Sequence, residues 1–114
     1  MAQRALRHLR VRGRTLSVLI TGDAEMRTLN LRWRNLDRTT DVLSFEGDGE
    51  VLGDVVISLE QAVRQSERFD VPLPEEIARL LVHGILHLLG HEHGTPAQRR
   101  AMGALTEEIL ERIL

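Results

Sequence analysis

Cysteine is absent from the sequence. Its absence excludes disulfides and thiolate metal sites, and nothing calls for an oxidising compartment. Lysine is absent too, so all 15 basic residues are Arg. Tyrosine is missing, and the aromatics are only Trp33, Phe45 and Phe69. Three rings are too few for a base-stacking platform, so any nucleic-acid contact is expected to run mainly through phosphates. No apolar run approaches the roughly 20 residues of a membrane span. Met1-Ala2-Gln3-Arg4 lacks the apolar stretch of a secretory signal. A cytoplasmic protein is therefore expected.

What remains is 114 residues, 42% of them hydrophobic, which is one domain's worth. A chain of this size buries a core without staples. The net charge of −2 averages over a strong asymmetry. Residues 1–38 hold nine Arg and three acids, and residues 39–114 hold six Arg and fourteen acids. The Arg-only usage reads as GC bias in the coding sequence together with a solvated Arg-rich helix. The asymmetry is also the footprint of an anionic partner such as nucleic acid. The planar guanidinium fork suits phosphate oxygens.

Periodicity and punctuation predict a short basic helix from Ala2 to about Leu9. The β-branched run Thr15–Thr21 reads as a strand. Met26, Leu29, Asn30 and Trp33 recur at helical spacing, which predicts a helix over 23–35. Asp41–Glu46 and Val51–Ile57 read as strands joined by a tight turn at 46–49, and so as a hairpin. Ser58 with Gln61 forms a capping-box pattern for a helix running to about Phe69. Pro74, Glu75 and Glu76 suit the first turn of the next helix, which carries Ile77, Leu80, Leu81, Ile85, Leu86 and Leu88 and ends near Gly90. Thr95-Pro96-Ala97-Gln98 caps a last helix to about Arg112. The expected architecture is α+β, one domain over 1–114. A small mixed sheet packs under helices, with a metal site on a central helix and the turn after it.

The chemistry concentrates in His83–His93. His83 and His87 are four apart, so on a helix they lie roughly 40° apart and one turn along the axis. Two imidazoles so placed converge on one ion. Gly90 follows, and glycine readily takes the left-handed conformation that ends a helix. The chain then turns back and brings His93 over the first two. His91, at i+4 from His87, would serve instead only if the helix continued. Three neutral nitrogens with an open fourth position describe a catalytic zinc site. A lone histidine on an apolar helix is usually a core or surface residue, but four of the chain's five histidines fall within these eleven positions. Glu92 remains open as an orienting or proton-transfer group. The same spacing occurs in metzincin proteases, H-E-x-x-H-x-x-G-x-x-H. Their general-base Glu is replaced by Gly84 here, which leaves a zinc metallopeptidase as the alternative reading.

The segment His83–His93 resembles H-G-x-L-H-L-x-G-Y-D-H of the YbeY family of metal-dependent endoribonucleases. Leu29-Asn30 through Trp33-Arg34, then Thr40–Phe45 (TDVLSF), is similar to that family's L-N-x-x-[YW]-R and T-D-V-L-S-F-P. Gly53–Ile57 is similar to its G-D-[IVL]-x-I strand. The resemblance implies one Zn2+ per chain at His83, His87 and His93, with Ni2+ also compatible. It implies a catalytic Arg34 acting on the RNA phosphate. The sequence itself offers Asp37 as a salt-bridge partner for Arg34 instead. Asp54 is expected to be a buried structural carboxylate. The implied function is single-strand endoribonuclease action in rRNA maturation, at the 16S rRNA 3′ end, and in ribosome quality control. The implied partners are RNA and the ribosome, with a ribosomal protein or a GTPase, and neither DNA nor membrane. A non-catalytic ribosome-binding metalloprotein is the third reading. The chain departs from the family pattern at His91-Glu92, where the family has Tyr-Asp, and at Glu46, where it has Pro. It also lacks the family's first strand, which leaves a sheet edge for a partner or a second copy to cover.

Overall fold

The run Thr15–Thr21 forms strand β1, and the hairpin pair forms β2 (Val42–Glu46) and β3 (Val51–Ser58). Residues 4–5, 13–91 and 93–114 are described by this computed structural model. The strands make one mixed sheet in the order β1-β3-β2. β1 runs parallel to β3, with Val18 opposite Val55 and Ile20 opposite Ile57. β2 runs antiparallel to β3, with Leu43 opposite Val56 and Ser44 opposite Val55. The central β3 carries consecutive buried Val55, Val56 and Ile57 because both of its faces are covered. Among the described residues β1 is an outer strand, and its Val18, Leu19 and Ile20 are exposed.

Four helices follow the expected pattern: α1 (Asp23–Arg34), α2 (Leu59–Arg68), α3 (Leu73–Leu88) and α4 (Pro96–Ile113). Among the described residues, helix α1 alone covers one sheet face, where Met26 and Leu29 meet Leu43, Val56 and Phe45. The other face carries the larger core. Val55 and Ile57 pack there with Leu81, Val82, Ile85 and Leu86 of α3 and with Met102 and Ile109 of α4. Of the expected first helix, only Arg4 and Ala5 are described. Both are helical, and Ala5 is buried in this core. The rest of that prediction lies outside the described residues.

The caps show where local rules yield to the sheet. Thr95 and Gln98 form the full capping box, each side chain bonding the other's backbone N–H at 3.1 Å. Ser58 forms only half of one. Its hydroxyl accepts from Gln61 N–H at 3.3 Å, but its own N–H donates to the Asp41 carbonyl at 2.9 Å. Ser58 is the last residue of β3, so the ladder claims the donor that the box would have used. The Ser58 hydroxyl also donates to Asp23 at 2.7 Å, and Arg64 pairs with the other Asp23 oxygen. Desolvation works to raise the Asp23 pKa. The hydrogen bonds from Arg64 and Ser58 outweigh it and hold the carboxylate below its usual range. One side chain thus ties the start of α1 to the end of β3 and to α2.

One buried group is poorly matched to its surroundings. Glu76, in the first turn of α3, is 1% exposed. Its Oε1 has no hydrogen-bond partner among the described residues, and the Arg79 guanidinium is 3.6 Å away. Burial raises its pKa, and the nearby Asp41 and Glu75 add to the shift against Arg79. A raised folded-state pKa means that stability is fullest below the unfolded value near 4.5 and falls as pH rises through the folded value. Glu76→Gln should therefore stabilise the protein at neutral pH by on the order of 1 kcal/mol. The gain should vanish near pH 4. Urea melts of both proteins at several pH values check this, and parallel pH slopes would sink it.

Candidate metal centre

Gly90 sits at φ +91°, just beyond the end of α3. Its N–H bonds the His87 carbonyl at 3.0 Å, and the His91 N–H bonds the Leu86 carbonyl at 3.0 Å. This pair of bonds is the Schellman closure, which stops the helix and folds the chain back. His91 spends its backbone on that turn, and it is exposed. His93 lands beside the two helical histidines. One nitrogen from each of His83, His87 and His93 lies within 4.8 Å of the others. The rings of His87 and His93 are 4.7 Å apart, and those of His83 and His93 are 5.5 Å apart.

The His83 and His87 Nε2 atoms are 3.1 Å apart. Two ligands on a tetrahedral zinc, each with a bond of about 2.05 Å, stand roughly 3.3 Å from one another. The helical pair is therefore already close to ligand spacing. Burial lowers the His83 pKa, and the neighbouring His87 and His93 lower it further. That favours the neutral imidazole, the only form with a lone pair for a metal. Among the described residues the donor set is three imidazoles, which fits one imidazole-liking divalent ion.

Arg34 ends α1, and Asn35 follows in the left-handed conformation at φ 58°. Its guanidinium donates to the Ser44 carbonyl at 2.5 Å and lies 5.6 Å from the centre of the Phe45 ring. The alternative partner, Asp37, is engaged by Arg27 at 2.7 Å. Arg34 and the three histidines line a single cleft of about 1520 Å³. Asp54 lines it as well. It is exposed, which corrects the expected buried carboxylate: it lies on the side of β3 that opens to the cleft. Glu92 lies outside the described residues.

Sequence reasoning passed over Ser44. Its hydroxyl donates to the Gly84 carbonyl of α3 at 2.9 Å while its own carbonyl takes Arg34. The signal was present in the Thr40–Phe45 block, a polar residue between apolar ones on a short strand. Gly84 itself does not face the cleft opening. A Cβ there would lie 2.6 Å from Val55 Cγ1 and 3.1 Å from Ser44 Oγ. The position that holds the general base in metzincins is here pressed against the sheet, with no room for a carboxylate.

A family model described as Endoribonuclease YbeY matches residues 1–114. The chain belongs to the endoribonuclease YbeY family. An Endoribonuclease YbeY of Persephonella marina is 42% identical over 119 residues, spanning 97% of this chain and 78% of that protein. One of Myxococcus xanthus is 44% identical over 117 residues, spanning 96% of this chain but 40% of its own length. A Thermotoga maritima protein solved in solution shares the fold, with a TM-score of 0.65 at 23% identity. That match covers 96% of this chain and 81% of the other. Among the described residues, the small α+β fold with a mixed three-stranded sheet is thus shared with that solved protein.

Two glycines on neighbouring helices should respond in opposite ways to the same substitution. Gly84→Ala should cost about 1–2 kcal/mol, because overpacking against Val55 exceeds the helix-propensity gain. Gly103, on α4, has nothing within 4 Å of a Cβ. Gly103→Ala should stabilise by about 0.5–1 kcal/mol. Denaturant midpoints of both variants check the pair, and a stabilised Gly84→Ala protein would contradict the packing account.

Proposed function

We propose that this chain is a metal-dependent endoribonuclease that cleaves single-stranded RNA during rRNA maturation in the cytoplasm, with the ribosome as the setting of its substrate. What carries this reading is the convergence of three imidazoles and the Arg34 guanidinium on one cleft. Family membership supports it, since the relatives are named Endoribonuclease YbeY. His83, His87 and His93 would hold one Zn2+ per chain. When bound, that ion supplies Lewis-acid stabilisation of phosphate charge and activation of water. The protein's part is to aim three imidazoles at one point, two of them fixed on the rigid α3, with burial favouring the neutral form of His83.

Arg34 would bind the scissile phosphate and offset the charge that grows on its oxygens in the transition state. Its one hydrogen bond among the described residues runs to a carbonyl, so its charge is not neutralised by a carboxylate there. That hydrogen bond aims the side chain, and the remaining N–H groups are available to phosphate. Arg38 lines the same cleft and adds positive charge for the RNA backbone. The packing at Gly84 disfavours the metallopeptidase reading, because no base occupies that place.

RNA cleavage should be abolished by chelation and restored by Zn2+. Arg34→Ala should keep its metal and lose about a hundredfold in kcat/KM. His93→Ala should lose bound metal, and His91→Ala should retain it. Metal analysis and cleavage of a single-stranded oligoribonucleotide test all three. Chelator-resistant cleavage would overturn the reading.

A further inference from the structure

Trp33 is the largest apolar side chain in the protein, yet it is 60% exposed. It precedes Arg34 in the last turn of α1, and both line the cleft that holds the three histidines. The indole is braced rather than loose. It meets Phe45 edge to face, with ring centres 6.3 Å apart and planes at 70°. The two residues therefore rest on neighbouring positions of β2: Arg34 on the Ser44 carbonyl and Trp33 against the Phe45 ring. A base is joined to its own phosphate over a similarly short span.

We infer that Trp33 stacks on an unpaired base next to the phosphate held by Arg34, and so makes the enzyme select single-stranded RNA. The inference rests on the endoribonuclease reading and deepens it. An exposed indole, held from behind, offers a flat face to any base, because every base has a π-face. In a duplex those faces are already covered by neighbouring bases, so only an unpaired nucleotide can use the platform. The Arg32 guanidinium now lies 5.3 Å from the indole centre. An exposed cation–π contact is weaker than base–aromatic stacking, so the base displaces it. The freed guanidinium then faces the RNA backbone.

The chain has a single tryptophan, so its fluorescence reports on this residue alone. Titrating the metal-loaded protein with a short single-stranded RNA should quench that emission. Inorganic polyphosphate and the same RNA in a duplex should leave it unchanged. Trp33→Leu should raise KM for the single strand roughly tenfold with kcat within a factor of two. Trp33→Phe, which keeps a π-face, should restore KM to within about threefold. Both variants alter an exposed side chain, and circular dichroism verifies their fold. Unchanged fluorescence, with equal KM values for wild type and Trp33→Leu, overturns the stacking role while cleavage itself still upholds the endoribonuclease reading. If wild type neither binds nor cleaves RNA, both fall.

Discussion

The contact between α3 and the sheet at Gly84 sets the position of nearly everything else in the cleft. No side chain intervenes there, so the helix backbone rests directly on Val55, and Ser44 reaches the Gly84 carbonyl at 2.9 Å. His83 is the preceding residue and His87 lies one turn further on, so both are placed by how closely the helix sits. Ser44 serves both sides of the site because β2 is an outer strand. In a central strand its carbonyl would be committed to a second ladder. Here that carbonyl points away from β3 and takes the Arg34 guanidinium. One strand residue thus couples the helix that bears two histidines to the helix that bears the arginine.

This dependence explains which parts of the molecule were legible in the sequence. The strands and helices among the described residues followed from their periods, and the turn that brings His93 beside His83 and His87 followed from Gly90, because a left-handed residue ends a helix whatever surrounds it. These are local effects. Gly84 was legible only as the absence of a carboxylate. Its positive reason, contact with Val55 across 29 residues of chain, exists only in three dimensions. The same holds for Ser58, where a motif predicted two reciprocal bonds and the sheet took one of the donors. Asp54 fails for a related reason. Strand alternation says that neighbouring side chains point to opposite faces, but not that one of those faces opens onto a cleft.

Charge was legible as an inventory and not as an arrangement. Asp37 lies three positions from Arg34 and looked like its partner, but the turn at Asn35 takes it to Arg27 instead. The ion pairs among the described residues engage Arg27, Arg64 and Arg79 and leave Arg34 outside them. A guanidinium already satisfied by a carboxylate would have to break that pair before meeting phosphate. One held by a neutral carbonyl keeps its charge and loses only its freedom to wander. Left-handed Asn35 therefore helps to keep the arginine available, by directing the acid elsewhere.

Composition says least about a site where it is most sparing. Three aromatic residues in the whole chain argued against any stacking surface. Yet two of them, Trp33 and Phe45, meet beside Arg34. A percentage is an average over all positions, whereas a binding site is a local concentration produced by folding. The same folding that buries Met26 and Leu43 between α1 and the sheet leaves the tip of α1 overhanging the cleft. An apolar ring there gains little from the core it borders. Its exposure runs against the hydrophobic drive that shapes the rest of α1, and a flat ligand that covers the ring resolves the conflict.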